Sequence, residues 1–185
     1  MIEDLRRLRD ELERLDVATY EAVARTETPA LDRFMRALST AADYSRLSLA
    51  AAAVLAATGG ADGRRAAGRG LASVAVTATV VNVLLKPLLR RRRPERAEAA
   101  PNRHIPMPVS RSFPSGHSAA AFAFATGAGA VMPETGPPLY ALATVVAYSR
   151  VHTGVHYPLD VIAGALCGVT LSAVTVRALD SRTNG

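Results

Sequence analysis

Hydrophobic positions along this 185-residue chain follow two patterns in turn. Within residues 2–16, Ile2, Leu5, Leu8, Leu12 and Leu15 recur at three- and four-residue intervals among charged neighbours, the period of an amphipathic helix. Thr28 and Pro29 then offer an N-cap and a first-turn proline. They open a second short helix with Leu31, Phe34, Met35 and Leu38 on one stripe. From there the pattern changes to uncharged runs: Leu47 to Ala61, Gly70 to Leu85, Ser118 to Pro133, Pro137 to Ser149 and Val161 to Val176. Each falls somewhat short of the roughly 20 residues a spanning helix needs, and polar flanks that snorkel extend it.

Small residues crowd these runs, as at Ala119-Ala120-Ala121 and at Gly127 and Gly129, which is what close packing between membrane helices requires. No strand-type alternation and no internal repeat interrupts them. The expected fold is therefore all-α: an integral membrane helical bundle of about five transmembrane helices with amphipathic N-terminal helices. Residues 1–40 form the amphipathic N-terminal segment, 41–180 the transmembrane domain and 181–185 a tail. The N-terminal helices are expected to lie at the interface or on the bundle; for residues 2–16 a coiled-coil contact between two copies, a homodimer, is the alternative. A soluble helical core with the same runs competes with the membrane reading, because the mean hydropathy is only +0.14.

Charge narrows the partner. The net charge is +6 and the pI about 10.2, which calls for nucleic acid, an anionic membrane surface or an anionic substrate. Of the 22 basic residues only Lys86 is a lysine, and it stands seven residues before Arg93. Tryptophan is absent and aromatics make up 5%, so no stacking platform accompanies the basic residues and nucleic acid is excluded as a partner. Arg90, Arg91 and Arg92 read instead as an interfacial collar drawn to anionic headgroups. A single cysteine, Cys167, leaves no disulfide framework and no cysteine-based metal site. The N-terminus lacks the apolar core of a signal peptide, so membrane targeting is expected from internal segments.

The candidate chemistry brackets one stretch, Ser112 to Asp160. Pro114-Ser115-Gly116-His117 stands at one end and Ser149-Arg150, His156 and Asp160 at the other, with Glu134 the only charge in the apolar hairpin between. If the hairpin crosses a membrane and returns, His117 and His156 arrive on the same side. Ser115 and Gly116 precede a helix-like run, where free amides and the helix dipole favour an anion. Gly116 permits close backbone approach, Ser115 offers a hydroxyl, and His117 can act as a general acid. His156 and Asp160 are spaced i, i+4, so a carboxylate can fix the imidazole tautomer and leave the other nitrogen to attack. Arg150 supplies a planar fork for phosphate oxygens. Lys86 and Arg93 can share one face if their helix persists to Pro94. His104 is expected in solvent, and His152 lacks the further ligands a metal would need. The inventory suits phosphoryl transfer with no metal and no cofactor.

Lys86 with Arg93-Pro94, then Pro114-Ser115-Gly116-His117, then Ser149-Arg150 with His156 and Asp160 resemble the three-part signature of the type 2 phosphatidic acid phosphatase superfamily. That family also takes in bacterial prenyl diphosphate phosphatases, glucose-6-phosphatase and vanadium haloperoxidases. All three parts stand complete, in order and correctly spaced. The resemblance implies that His156 is a nucleophile forming a phosphohistidine, with Asp160 as its orienting partner, and that His117 protonates the leaving group and then activates water. It implies that Lys86, Arg93, Ser115, Gly116 and Arg150 hold the phosphate oxygens, and that the substrate is a lipid phosphate or diphosphate in the bilayer: phosphatidate, phosphatidylglycerol phosphate or polyprenyl diphosphate. It further implies a bacterial plasma membrane protein with its site on the extracytoplasmic face, whereas the arginines of the N-terminal arm favour the cytoplasm. A vanadate-dependent haloperoxidase and a non-catalytic binder of anionic lipid are the competing functions; such haloperoxidases are generally larger and soluble, and mere binding would need only the cations.

Overall fold

The computed structural model describes residues 1–95 and 101–183, and within them every regular element is a helix. Two N-terminal helices, α1 (Ile2–Arg25) and α2 (Pro29–Ala41), precede α3 (Arg46–Thr58). Then α4 (Gly60–Thr79) runs through a π-helical segment, Val80–Leu85, into α5 (Lys86–Leu89). After an irregular segment come α6 (Gly116–Gly129), α7 (Gly136–His152) and α8 (Pro158–Thr183). Among the described residues, two helices are long and apolar enough to cross a membrane, Gly60–Leu89 and Pro158–Arg182. The remaining uncharged runs became α3, α6 and α7, of 13, 14 and 17 residues. The expected irregular loop over 95–113 contains one 3-10 turn, Pro101–Arg103; its residues 96–100, like 184–185 of the expected tail, lie outside the described residues.

Helix α6 is the axis of the bundle. It packs on α4, α7 and α8, so its apolar residues cannot form one stripe; Ala119, Ala120, Ala123, Phe124, Ala125 and Ala128 are all buried. A helix apolar all round belongs in the centre, and its alanines let the neighbours come close. Where α8 crosses it, a Cβ built on Gly168 would collide with the carbonyl oxygen of Ala119. On the opposite side Phe124 fills a cluster with Ala52, Ala66, Ala67 and Val74 of α3 and α4. This packing brings the start of α6, the end of α7 and the start of α8 to one end of the bundle.

The N-terminal helices reach the same end by polar contacts together with buried Met35 and with Tyr20, which packs with Ala147, Val151 and Val161, rather than by the leucines of α1. Helix α1 continues to Arg25, beyond the residue 16 that the leucine period predicts. Leu5, Leu8, Leu12 and Leu15 stay exposed, while Asp16 and Tyr20 are buried, so the apolar stripe is not what docks α1. Tyr20 meets Tyr157 edge to face at 5.5 Å between ring centroids. Helix α2 is fastened by Asp32, which accepts from His152 Nε2 at 2.8 Å and from Thr28 Oγ1 at 2.9 Å. Buried Arg103 pairs with Asp32 at 3.2 Å and donates to the carbonyl oxygens of Val23 and Thr26 at 2.8 and 2.5 Å. His152 thus joins α7 to α2.

Replacing Gly168 with valine forces α8 off α6. The expected cost is about 1–3 kcal/mol, read as a lowered midpoint of thermal unfolding in detergent. An unchanged midpoint would show that the two helices do not depend on this close approach.

Candidate active site

At the start of α6, Ser115 is the N-cap. Its Oγ accepts from the Ser118 amide at 3.5 Å and the Ser118 hydroxyl at 3.1 Å. Its own amide, expected to face an anion, instead donates to the carbonyl oxygen of Asp160 at 2.8 Å. Ser115 therefore ties α6 to α8, and the amides left without an intrahelical acceptor in the first turn are those of Gly116 and His117. Lys86 reaches this turn from the end of the π-helical segment: its Nζ lies 3.3 Å from the position a Cβ of Gly116 would take. Segments of π-helix recur at functional sites because they shift the facing of the residues that follow.

The helix that carries Lys86 does not persist to Arg93. It ends at Leu89, with Arg90 in the left-handed region at φ 45°, and Arg93 lies beyond it on an irregular segment. Its Nε donates to the Ser110 carbonyl at 2.8 Å and its Nη2 to Ser110 Oγ at 3.2 Å; Lys86 Nζ donates to the same Oγ at 3.5 Å. Ser110 thereby does the gathering that helical register was expected to do.

His156 follows α7 in a turn organised by Arg150, whose carbonyl oxygen accepts from the amides of Val155 and His156, each at 3.2 Å. On one side His156 Nδ1 lies 3.3 Å from Asp160 Oδ2. On the other, Arg93 Nη1 lies 3.3 Å from His156 Nε2. Guanidinium has no acceptor, so Nε2 must offer its lone pair and the proton belongs on Nδ1, facing the carboxylate. Asp160 Oδ2 also accepts from the Tyr157 amide at 2.9 Å and from the Ser112 hydroxyl, and Oδ1 from Arg91 Nη1 at 2.8 Å. His156 is 1% exposed. Burial first, and then the positive charge of Arg93 against the opposing hydrogen bond from Asp160, push its pKa from 6.5 down to about 3. The imidazole is held neutral with Nε2 unprotonated, the form that can attack phosphorus.

Arg150 is fully buried. Its Nη1 donates to the Ser39 carbonyl at 3.0 Å and to Ser39 Oγ at 2.7 Å, while its Nε has no partner among the described residues. Its charge acts on both His117 and His156. His117 Nε2 lies 2.9 Å from Asp43 Oδ1, and the same carboxylate oxygen is 3.7 Å from Arg150. Asp43 was missed in the sequence; the signal present there was a lone acid standing between a helix and an uncharged run. Beside His117 opens a cavity of about 240 Å³, lined among others by Tyr44, Leu47, Ala78, Asn82 and Lys86. Every residue expected at the site thus lies at this end of the bundle, with Ser112, Ser110, Asp43 and Arg91 added. Arg91 is no headgroup collar: it pairs with Asp160 and Asp16. His104, expected in solvent, is partly buried beside Gly154.

Comparison with known proteins gives the family. A family model described as the PAP2 superfamily matches residues 67–184. The chain is 40% identical over 101 residues to a decaprenylphosphoryl-5-phosphoribose phosphatase of Mycobacterium tuberculosis, covering 54% of each chain. It is 42% identical over 76 residues to an undecaprenyl-diphosphatase of Sulfolobus acidocaldarius, covering 39% of this chain and 35% of that protein. The aligned stretch spans about half the length of the mycobacterial relative or less for the archaeal one. Among solved structures, a transmembrane PAP2 type phosphatidylglycerolphosphate phosphatase from Bacillus subtilis superposes with a TM-score of 0.70 at 25% identity, covering 93% of this chain and 87% of that one.

The neutral burial of His156 carries a pH dependence. Its folded pKa lies below the unfolded value, so between about 6.5 and 3 the unfolded chain binds the extra proton. The stability that depends on neutral His156 is complete above 6.5 and declines as pH falls toward 3. In thermal unfolding over that window, the wild type should lose stability more steeply than His156→Gln. Parallel slopes would show that His156 is not held neutral.

Proposed function

Because the chain belongs to the PAP2 superfamily, we propose that it is a membrane lipid phosphatase that works without a metal through a phosphohistidine on His156. The observation that carries the reading is the buried relay from Asp160 Oδ2 to His156 Nδ1 at 3.3 Å, with Nε2 turned to Arg93 at 3.3 Å. In the first step Nε2 attacks phosphorus, the bond from phosphorus to the leaving oxygen breaks, and His117 protonates that oxygen. In the second, His117 takes a proton from water, the hydroxide attacks phosphorus, and the phosphorus–nitrogen bond breaks to release phosphate. Lys86, Arg93 and Arg150 with the amides of Gly116 and His117 carry the charge spread over the equatorial oxygens. These cations supply what a divalent ion would supply elsewhere.

The cavity beside His117, the proposed acid for the leaving oxygen, is where we put the leaving group. Its walls combine the apolar Leu47 and Ala78 with the polar Asn82 and Tyr44, which suits the junction of a lipid and its headgroup. The names of the relatives favour a polyprenyl-linked phosphate or diphosphate over phosphatidate or phosphatidylglycerol phosphate. We read the rod Gly60–Leu89 together with α3, α6, α7 and α8 as five spans. With five, the N-terminus lies on the catalytic side, in keeping with the contact of Asp16 with Arg91 there. That side is assigned to the extracytoplasmic face of a bacterial plasma membrane.

The test is phosphate release by the purified full chain in detergent, with EDTA present, from polyprenyl phosphates, polyprenyl diphosphates, phosphatidate and phosphatidylglycerol phosphate. Release should persist in EDTA and disappear in His156→Ala while the unfolding midpoint stays within a few degrees. Turnover retained by that variant, or abolished by EDTA, would contradict the mechanism.

A further inference from the structure

Two residues that the three-part signature does not name, Asp16 and Arg91, complete the most buried carboxylate of the site. The Arg91 guanidinium bridges two acids: Nη1 donates to Asp160 Oδ1 at 2.8 Å and Nη2 to Asp16 Oδ2 at 2.6 Å. Its carbon sits 4.5 Å from the centroid of the Tyr157 ring. Asp16 is 3% exposed on a helix whose neighbouring Leu12 and Leu15 are exposed. Its other oxygen accepts from the Leu159 amide at 2.8 Å. Turning an acid inward on a helix that leaves its leucines outside costs desolvation that only close partners offset, and both partners here lead to the segment from Tyr157 to Asp160.

We propose that Asp16 and Arg91 are positioning residues for catalysis: through the bridge from Asp16 to Arg91 to Asp160, helix α1 sets the orientation of Asp160 and hence of the His156 ring. The proposal rests on the reading of His156 and Asp160 as catalytic. Asp160 Oδ2 has three partners, Ser112, the Tyr157 amide and His156, whereas Arg91 is the side chain bonded to Oδ1. Without Arg91 the carboxylate can turn about its last bond, and the ring bonded to it turns as well. Asp16 fixes the Arg91 fork and, through Leu159, the first turn of α8. Neither residue is bonded to Lys86, Arg93 or Arg150, so phosphate capture stays intact while the angle of Nε2 is lost. Asp16 is moreover an anion beside a site for anions; removing its charge would by itself favour substrate binding. A loss of rate in an Asp16 variant is therefore not a general field effect on the substrate.

The experiment compares the full chain in detergent with Asp16→Asn, Arg91→Ala and the double variant, and with Arg92→Ala as a neighbouring exposed control. Hydrolysis of a water-soluble aryl phosphate gives kcat and KM. Calorimetric titration with orthovanadate, whose bipyramidal adduct on a histidine nitrogen reports the angle of Nε2, gives a readout free of turnover. The expectation is a fall in kcat of about 10²-fold in each single variant with KM changed less than about twofold, weaker vanadate binding, and a double variant no slower than the worse single. The Arg92→Ala control should match the wild type. Lowered unfolding midpoints with kcat unchanged, a rise in KM alone, or independent losses that multiply in the double variant would each overturn the proposal. If the wild type releases no phosphate at all, the phosphatase reading fails; the vanadate titration then decides the positioning role alone, supporting it if Asp16→Asn binds more weakly and overturning it if binding is unchanged.

Discussion

A carboxylate buried inside a helical bundle loses several kcal/mol of hydration unless its oxygens are bonded again. Asp160 is fully buried and is bonded from four directions: by Ser112, the Tyr157 amide and His156 on one oxygen, and by Arg91 on the other. Satisfying that carboxylate constrains the surrounding chain. Ser112 must come back from the long connection after α5, Arg91 must turn in after the left-handed residue Arg90, and the turn before α8 must present an amide. The carbonyl of the same residue takes the Ser115 amide, which fixes where α6 begins. The proposed nucleophile, His156, and the start of α6 are thus located by one residue's hydrogen bonds.

The cations at the site divide by how they are held. Arg150 is locked from behind by Ser39 and its Nε has no partner among the described residues, while Lys86 and Arg93 share Ser110. Arg93 also covers His156 Nε2. In the proposed reaction an incoming phosphate replaces that contact by offering its oxygens to the fork, and the same movement uncovers the lone pair that attacks. A guanidinium serves here because it cannot accept a hydrogen bond and so holds the imidazole in the nucleophilic tautomer while it waits.

The parts legible in the sequence were those coded by local spacing. The uncharged runs announced the helices from α3 to α8, the proline-serine-glycine-histidine block announced a helix start, and the i, i+4 relation of His156 to Asp160 announced their pairing. What escaped depended on distant parts of the chain meeting. Arg91 reads as one of four adjacent arginines, and only the fold tells it from exposed Arg92. Asp16 falls in a charged amphipathic helix, where burial of one acid leaves no mark on the period. Asp43 and Ser110 lie in connections whose course periodicity does not describe. The condition for Lys86 and Arg93 to share one helix face, a helix that persists to Pro94, is not met because Arg90 adopts a left-handed conformation, which breaks the register. The leucine stripe of α1 was legible as a helix and misleading as a docking face, since the helix is held by Asp16 and Tyr20.

The central claim is that a phosphoryl group passes through His156. The direct measurement is trapping of the phosphoenzyme: brief reaction with a phosphorus-labelled substrate, a rapid denaturing quench, and peptide mapping under basic conditions that preserve phosphohistidine. The account predicts label on the peptide carrying His156 and none in His156→Ala. Label on another residue, or an active enzyme that never becomes labelled, would contradict it.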